Sequence, residues 1–265
     1  MKQISAVLIT HNEEDKIEAC LESLADLCEE IVVLDSLSTD STVELSRRFT
    51  DRVVQEEWHG YARQKQLATD LAEYEWVLSL DADEKLSSHL RRELLDWKAR
   101  PDDENCNSYR IPRLTFFMGR WIRHTTWYPD WQVRLFRRSK AQWQGGNIHE
   151  GVTAEGEQGK FSGHLLHYTY SSISEYLVQL ENFSSLAAID YHSQGKKLGV
   201  LRLVIAPPSV FLKNYIARAG FRDGVPGLVV SVLASVSAFF KYLKLWELQG
   251  RYGTRKPSWK ELDDS

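Results

Sequence analysis

Trp76-Val-Leu-Ser-Leu-Asp81-Ala-Asp83-Glu84 is the stretch whose reading decides the fold. Its first five residues read as a strand buried on both faces, a pattern typical of parallel sheets. The run then stops abruptly on acids. In open parallel sheets the ligand crevice lies outside the carboxyl ends of the strands. Working outward, the same design recurs twice. The β-rich run Ile4-Ser-Ala-Val-Leu-Ile-Thr10 leads into His11-Asn12-Glu13, and Ile31-Val-Val-Leu34 leads into Asp35-Ser36.

Helical spacing fills the intervals. Glu13 to Leu27 repeats Ile17, Cys20, Leu21 and Leu24, and acids at 13, 14 and 15 suit a helix N-terminus. Ser38-Thr-Asp-Ser-Thr42 is cap chemistry before a helix over roughly 42–49. Asp51 to Gln55 reads as a short strand and Tyr61 to Glu73 as a helix. This βαβαβαβ rhythm predicts an α/β fold with a mostly parallel, Rossmann-like sheet and right-handed crossovers. Each polar strand end has a plainer alternative: Asn12 or Asp40 caps a helix, and Asp35 starts a turn. Capping alone explains the set of three ends poorly.

The chain has 265 residues, 43% apolar and 26% charged, which excludes a disordered chain, a collagen or a disulfide mini-protein. Cys20, Cys28 and Cys106 form no C-x-x-C, so no redox or zinc framework is legible. The start, MKQISAVLITHNEED, meets acids too soon for a secretory signal. The expected location is the cytosol or the inner face of a membrane.

The net charge of −4 conceals an asymmetry. Residues 1–106 carry 12 Lys/Arg against 25 Asp/Glu, residues 107–145 carry 8 against 1, and residues 191–256 carry 11 against 2. Different partners for each part are one reading, and solvated faces the other. Three regions follow: 1–106, an acidic α/β half; 107–190, a second half of the same domain; and 191–265, a C-terminal helical, membrane-interface region. Residues 107–150 hold Trp121, Trp127, Tyr128, Trp131 and Trp143 among arginines. Aromatic faces stack on sugar rings, and arginines bind phosphate in forked pairs. Val133-Arg-Leu-Phe-Arg137 alternates like a strand, which puts Arg134 and Arg138 on one face and Arg137 on the other. Residues 173–194 read as a helix. In the tail, residues 224–240 contain no charge, and Lys241 and Lys244 follow at once. These are either helices lying in a membrane interface or a buried hairpin of a soluble protein.

Two aspartates one residue apart, just past a buried strand, project close together. Such hard oxygen ligands suit Mg²⁺ or Mn²⁺ bridging a diphosphate, with the cation neutralising the leaving phosphate. An Asp-x-Asp alone recurs by chance; its place in this βαβ series makes it specific. The absence of G-x-x-x-x-G-K-[ST] and of G-x-G-x-x-G removes ATPase and dehydrogenase readings. A nucleic-acid partner fits poorly, because the basic segments flank apolar runs and the first half is acidic.

Leu8-Ile-Thr-His-Asn-Glu13, Val33-Leu-Asp35-Ser36 and Leu80-Asp-Ala-Asp-Glu84 resemble the inverting glycosyltransferase family 2, which has the GT-A fold. The resemblance covers about residues 3–150. The chain is similar, more narrowly, to bacterial lipopolysaccharide-core β-1,4-glucosyltransferases, through Gln64-Lys65, Tyr128-Pro-Asp130, Arg134-Leu-Phe-Arg-Arg138 and His149-Glu150. The resemblance implies a UDP-sugar donor, with Thr10, His11, Asn12, Glu13, Asp35, Ser36, Asp81, Ala82 and Asp83 in its site. Asp35 is expected near the uracil or ribose, and Asp83, with Asp81, on the metal. Arg63 or Lys65 would sit near the nucleotide, unless that pair is a solvated helix face. Trp127, Tyr128, Arg134, Arg137, Arg138 and His149 would meet the acceptor, a heptose in a phosphorylated, lipid-anchored core.

Inverting transfer needs a carboxylate within reach of the acceptor hydroxyl. Many family members carry a Glu-Asp pair after an arginine-rich strand; this chain has His149-Glu150 instead. Glu150 is the first expectation for the base, Asp130 the second, with His149 assisting. A structural ion pair between Glu150 and a nearby arginine is the alternative. The competing functions are transfer to a polyprenyl phosphate, and a non-catalytic membrane module that only binds nucleotide. The expected place is peripheral, on the cytoplasmic face of the bacterial inner membrane.

Overall fold

The computed structural model describes residues 1–250 apart from 104, 146–149, 171 and 198. The chain divides into two units, Met1–Ser171 and Ser172–Ser265. In the first, strands β1 (Ile4–Thr10), β2 (Glu30–Asp35), β3 (Val53–Gln55) and β4 (Trp76–Asp81) alternate with helices α1 (Ile17–Leu24), α2 (Thr42–Ser46) and α3 (Tyr61–Asp70). There follow β5 (Glu84–Leu86), α4 (Ser88–Ala99), β6 (Cys106–Phe117), β7 (Arg120–Trp121), β8 (Asp130–Arg137), β9 (Ala141–Gln144), β10 (Gly151–Ala154), β11 (Glu157–Lys160) and β12 (Leu165–His167). The main sheet runs β3-β2-β1-β4-β8-β6-β12-β5, with β7 and β11 also on β6; β9 and β10 form a separate hairpin.

The pairing is parallel from β3 to β4, as the rhythm of the first hundred residues predicts. It turns mixed beyond, because β8 inserts antiparallel between β4 and β6. Alternation along β1 builds two layers. Ile4, Ala6 and Leu8 pack with Ile17 and Leu21 of α1 and with Leu90 and Leu94 of α4. Val7 packs on the other face with Val32, Val77, Phe136 and Ala68 of α3. Period-two side chains on a strand covered on both sides explain why the run shows no polar face. Leu78 is fully buried in the first layer. Leu78→Ala is expected to cost about 2–5 kcal/mol, read from urea denaturation.

One expected boundary moves. Helix α1 starts at Ile17, not at Glu13, because the residues before it bond to another loop, described below.

In the second unit, α5 (Ile173–Ser193), α6 (Val200–Leu212) and α7 (Gly224–Leu248) pack together around Ala188, Tyr242 and Leu245. Ser172 caps α5 by accepting the Glu175 N–H at 3.1 Å. Helix α5 belongs to this second unit, in which it packs against α7.

Candidate active site

The carboxyl ends of β1, β2 and β4 lie level. The register pairs Thr10 with Asp35 and Ile9 with Asp81. Ile9 and Thr10 face opposite sides of the sheet, so Asp35 and Asp81 leave it on opposite faces. This separates two carboxylates expected together.

Asp35 is fully buried. It accepts from the Thr10 hydroxyl at 3.0 Å, the Ser38 N–H at 2.8 Å, the Ser38 hydroxyl at 2.5 Å and the Gln55 amide at 3.2 Å. Those four bonds engage its oxygens and fasten the loop after β2. The neighbouring residues zip the β1–α1 loop to the β2–α2 loop. The Asn12 side-chain oxygen accepts from Thr39 N–H at 2.8 Å, and the Asn12 N–H donates to Ser38 at 2.8 Å. The Glu13 N–H donates to the Thr42 hydroxyl at 2.8 Å, and Ser41 N–H to the Glu14 carboxylate at 2.9 Å. Asn12 takes a left-handed φ of 54°, which asparagine tolerates. The His11 Nδ1 lies 2.8 Å from the Ser36 carbonyl, which can only accept, so Nδ1 carries the proton. Ser36 in turn accepts from Gln64 at 3.1 Å.

Asp81 stands in a ladder of alternating charge. Its carboxylate meets Lys65 Nζ at 2.7 Å and Arg134 at 2.5 Å. Arg134 continues to Glu84 at 2.8 Å, Arg113 lies 3.6 Å from Glu84, and Arg113 reaches Asp130 at 2.7 Å. At the other end, Lys65 Nζ lies 3.3 Å from the Glu150 carboxylate. Burial alone would raise the Asp81 pKa; Arg134 and Lys65 outweigh it and hold the acid well below the usual carboxylate range. Burial likewise works against the Arg134 cation, and Asp81 and Glu84 more than restore it.

Asp83 pairs with a residue the sequence reading did not single out. The β12–β5 register sets His167 opposite Glu84, and His167 Nε2 lies 3.2 Å from Asp83 Oδ2. The other ring nitrogen faces the Thr115 hydroxyl at 3.3 Å. Burial raises the Asp83 carboxyl, but His167 outweighs it and the acid lies below its ordinary value. The only signal for His167 was a histidine closing the short apolar run Leu165-Leu166, with nothing local to name its partner strand. A second missed element is the exposed pair Trp58 and Tyr61, edge to face at 4.8 Å. Burial, then the charges of Glu150, Asp81, Asp83 and Glu13, push the Tyr61 hydroxyl up.

Lys65 and Arg63 part company on α3. Lys65 is buried beneath the Trp143 ring, 5.1 Å from its centroid, so it is no solvated face. Arg63 shares the outer face of α3 with Gln66 and Asp70, in an open polar groove of about 590 Å³ that contains none of the acids above. Asp130 pairs with Arg113 and, at 2.7 Å, accepts from the Gln132 amide. Glu150 pairs with Lys65 and not with an arginine; His149 lies outside the described residues.

The arginines expected at the acceptor are also engaged internally. Arg134 is buried in the ladder; Arg137 meets Asp102 at 2.7 Å and lies over the Trp76 ring; Arg138 donates to the Ala72 carbonyl at 2.5 Å. Trp127 packs on Phe117 and Tyr170, and the Tyr128 hydroxyl bonds His164 at 2.9 Å. Among the described residues no group of three His, Cys, Asp or Glu gathers for a metal. Asp83 and His167 are a pair, and Mg²⁺ or Mn²⁺ typically takes one or two protein ligands and completes its shell with water and substrate phosphate.

A mostly parallel Rossmann-like sheet with flanking helices, carrying an Asp-x-Asp at its carboxyl rim, defines a GT-A transferase. The chain belongs to glycosyl transferase family 2, whose family model matches residues 5–154. It is 32% identical over 251 residues to the lipopolysaccharide core biosynthesis glycosyltransferase LpsC of Rhizobium meliloti, covering 92% of each chain. It is 30% identical to an uncharacterized glycosyltransferase of Rickettsia typhi, covering 94% of this chain and 88% of that one. Among solved structures, the mannosyltransferase PcManGT of Pyrobaculum calidifontis, in complex with GDP-Man and Mn²⁺, is 15% identical, with a TM-score of 0.49 over 89% of this chain and 73% of that one.

Proposed function

We propose that this chain is an inverting glycosyltransferase that moves glucose from a UDP donor to a heptose of the lipopolysaccharide inner core. The observation that supports the chemistry is the Asp83–His167 pair just past β4, beside the chain of ion pairs that joins Asp81 through Lys65 to Glu150. The acceptor class rests on the likeness to LpsC along almost the whole chain.

Asp83 and His167 would hold the cation. Their donor atoms already lie 3.2 Å apart, a carboxylate and an imidazole that together would supply hard-oxygen and nitrogen ligands. The Thr115 hydroxyl would keep the proton on the other ring nitrogen, a usual outer-shell role. When bound, Mg²⁺ or Mn²⁺ would neutralise charge on the departing diphosphate. Asp81, locked by Lys65 and Arg134, is the rigid side of the donor site. Glu150 takes the proton of the acceptor hydroxyl while that oxygen bonds to the anomeric carbon. The bond from that carbon to the diphosphate breaks on the opposite face, UDP leaves, and the configuration inverts. The half-buried rings of Trp127 and Tyr128 would contribute apolar surface to the acceptor side. The acceptor is lipid-anchored and is met at the cytoplasmic face of the inner membrane.

The test is transfer from labelled UDP-glucose to a heptosylated lipid A core, beside a polyprenyl phosphate. Product on the core alone supports the proposal, and product on the polyprenyl phosphate alone replaces it with the competing acceptor. A thermal shift series accompanies it. UDP with Mn²⁺ at a hundred times its Kd should raise Tm by roughly 5–10 °C. Asp83→Ala and His167→Ala should each abolish that metal-dependent rise. An unchanged shift in both variants would remove them as the metal pair.

A further inference from the structure

We infer that the second unit is an in-plane membrane anchor, a helical hairpin that seats two apolar stripes among acyl chains and its cations on anionic headgroups. This deepens the reading of a lipid-anchored acceptor by naming the surface that meets the lipid, and it rests on residues 172–250 alone.

Helix α7 is apolar on both sides. One side is buried against its neighbours through Gly227, Val230, Ala238, Tyr242 and Leu245. The opposite side exposes Val225, Leu228, Val232 and Phe239, and residues 224–240 hold no charge. A helix at a protein–water surface carries its polar residues on the side away from the core. Here that side offers only more apolar surface. Helix α6, packed against α7, repeats the pattern: Leu201, Ile205 and Leu212 form one line at helical spacing, with Val204 beside it. Leu201 is 70% exposed, and Val204 and Val225 are each 66% exposed.

The charges complement an anionic surface. Between 172 and 250 the cations are Lys196, Lys197, Arg202, Lys213, Arg218, Arg222, Lys241 and Lys244; the acids are Glu175, Glu181, which pairs with Lys244 at 2.8 Å, Asp190, Asp223, which is buried, and Glu247. Lys213 and Arg218 are exposed in the turn between the helices, beside the exposed Leu212 and Ile216. Lysines near apolar surface can extend to headgroups while their stems stay in the acyl region.

The segment Gly220–Leu248 is long and apolar enough to cross a bilayer, with a hydropathy of 1.6. Two features favour lying in the plane. The uncharged stretch of α7 is only about 25 Å long at 1.5 Å per residue, and the 13 residues of α6 only about 20 Å, against a hydrocarbon core of about 30 Å. A hairpin spanning the core would also carry the turn's cations through it. In the plane, the exposed turn cations Lys213 and Arg218 reach headgroups of one leaflet.

The experiment is flotation of the full chain with phosphatidylcholine vesicles, with and without about 30% phosphatidylglycerol. The full chain should float with the anionic vesicles at least about tenfold more than with the neutral ones. Lys213→Glu/Arg218→Glu should erase that preference, and Val204→Asp/Val225→Asp should abolish flotation on both, with far-UV circular dichroism unchanged. Photolabelling of the unaltered chain by an azido-phosphatidylcholine covers the case in which a variant misfolds; labels should fall within 201–240. Flotation unaffected by the substitutions, or labels only outside that segment, overturns the anchor. So does a lipid-free dimer that the stripe variant dissociates while the parent chain does not float, since a second copy then covers the face. Transfer to a detergent-dispersed acceptor, run in parallel, separates the two readings: activity without flotation sinks only the anchor, and flotation without activity sinks only the sugar transfer.

Discussion

Glu150→Gln is expected to lower sugar transfer by about 10²–10⁴-fold while UDP-sugar binding persists. The amide keeps the size of the carboxylate and an oxygen that accepts from Lys65, now 3.3 Å away. It cannot accept the proton of the acceptor hydroxyl. The donor-side contacts of Asp81 with Lys65 and Arg134 are untouched. The loss should therefore fall on kcat, with the donor KM little changed. The other candidate, Asp130, is held by Arg113 and Gln132 and is a poor substitute. Steady-state kinetics over a donor series decide it; near-normal turnover in the variant would place the base elsewhere.

Arg134→Met should destabilise the protein by about 3–5 kcal/mol, because it strips a buried cation from two acids at once. Arg134 touches both Asp81 and Glu84, and Glu84 is itself fully buried. Arg113, at 3.6 Å from Glu84, recovers part of the loss for that acid, and Lys65 part for Asp81. The same variant should weaken metal-dependent UDP binding, since Asp81 loses one of the two groups that fix it. Arg134→Lys keeps the charge but not the fork that reaches two carboxylates, so an intermediate loss is expected. Urea denaturation measures the first effect and the UDP-induced thermal shift the second. A cost below about 1 kcal/mol would mean that the ladder contributes little to stability.

The parallel half of the sheet was legible because its information is local. Ile4–Thr10, Ile31–Leu34 and Trp76–Leu80 are apolar runs whose length and flanking helical periods identify strands without a partner being known. Arg134 shows where that stops. Alternation in Val133–Arg137 identified a strand and put Arg134 opposite Arg137, yet it could not say which face would be core. That was set by insertion of β8 between β4 and β6, a pairing of residues that lie from 17 positions apart (Arg113 with Asp130) to 61 (Trp76 with Arg137). The arginine expected at an acceptor is instead the buried counter-ion of the Asp-x-Asp acid. Lys65 and Arg63 repeat the lesson. The helical period separates them, but only the packing of Trp143 on α3 buries one and leaves the other in an outer groove.

By itself, the amino-acid order determined the α/β class, the Asp-x-Asp at a strand end and the charge-free helix of the tail. Each is written in spacing along a few consecutive residues. Tertiary structure alone decided that Asp35 turns inward to fasten a loop, that His167 arrives beside Asp83, and that one alternating ladder of charge joins Glu150 to Asp130. Ion pairs and metal ligands require atoms within a few ångströms, and strands brought together from distant parts of the chain supply that closeness only after folding.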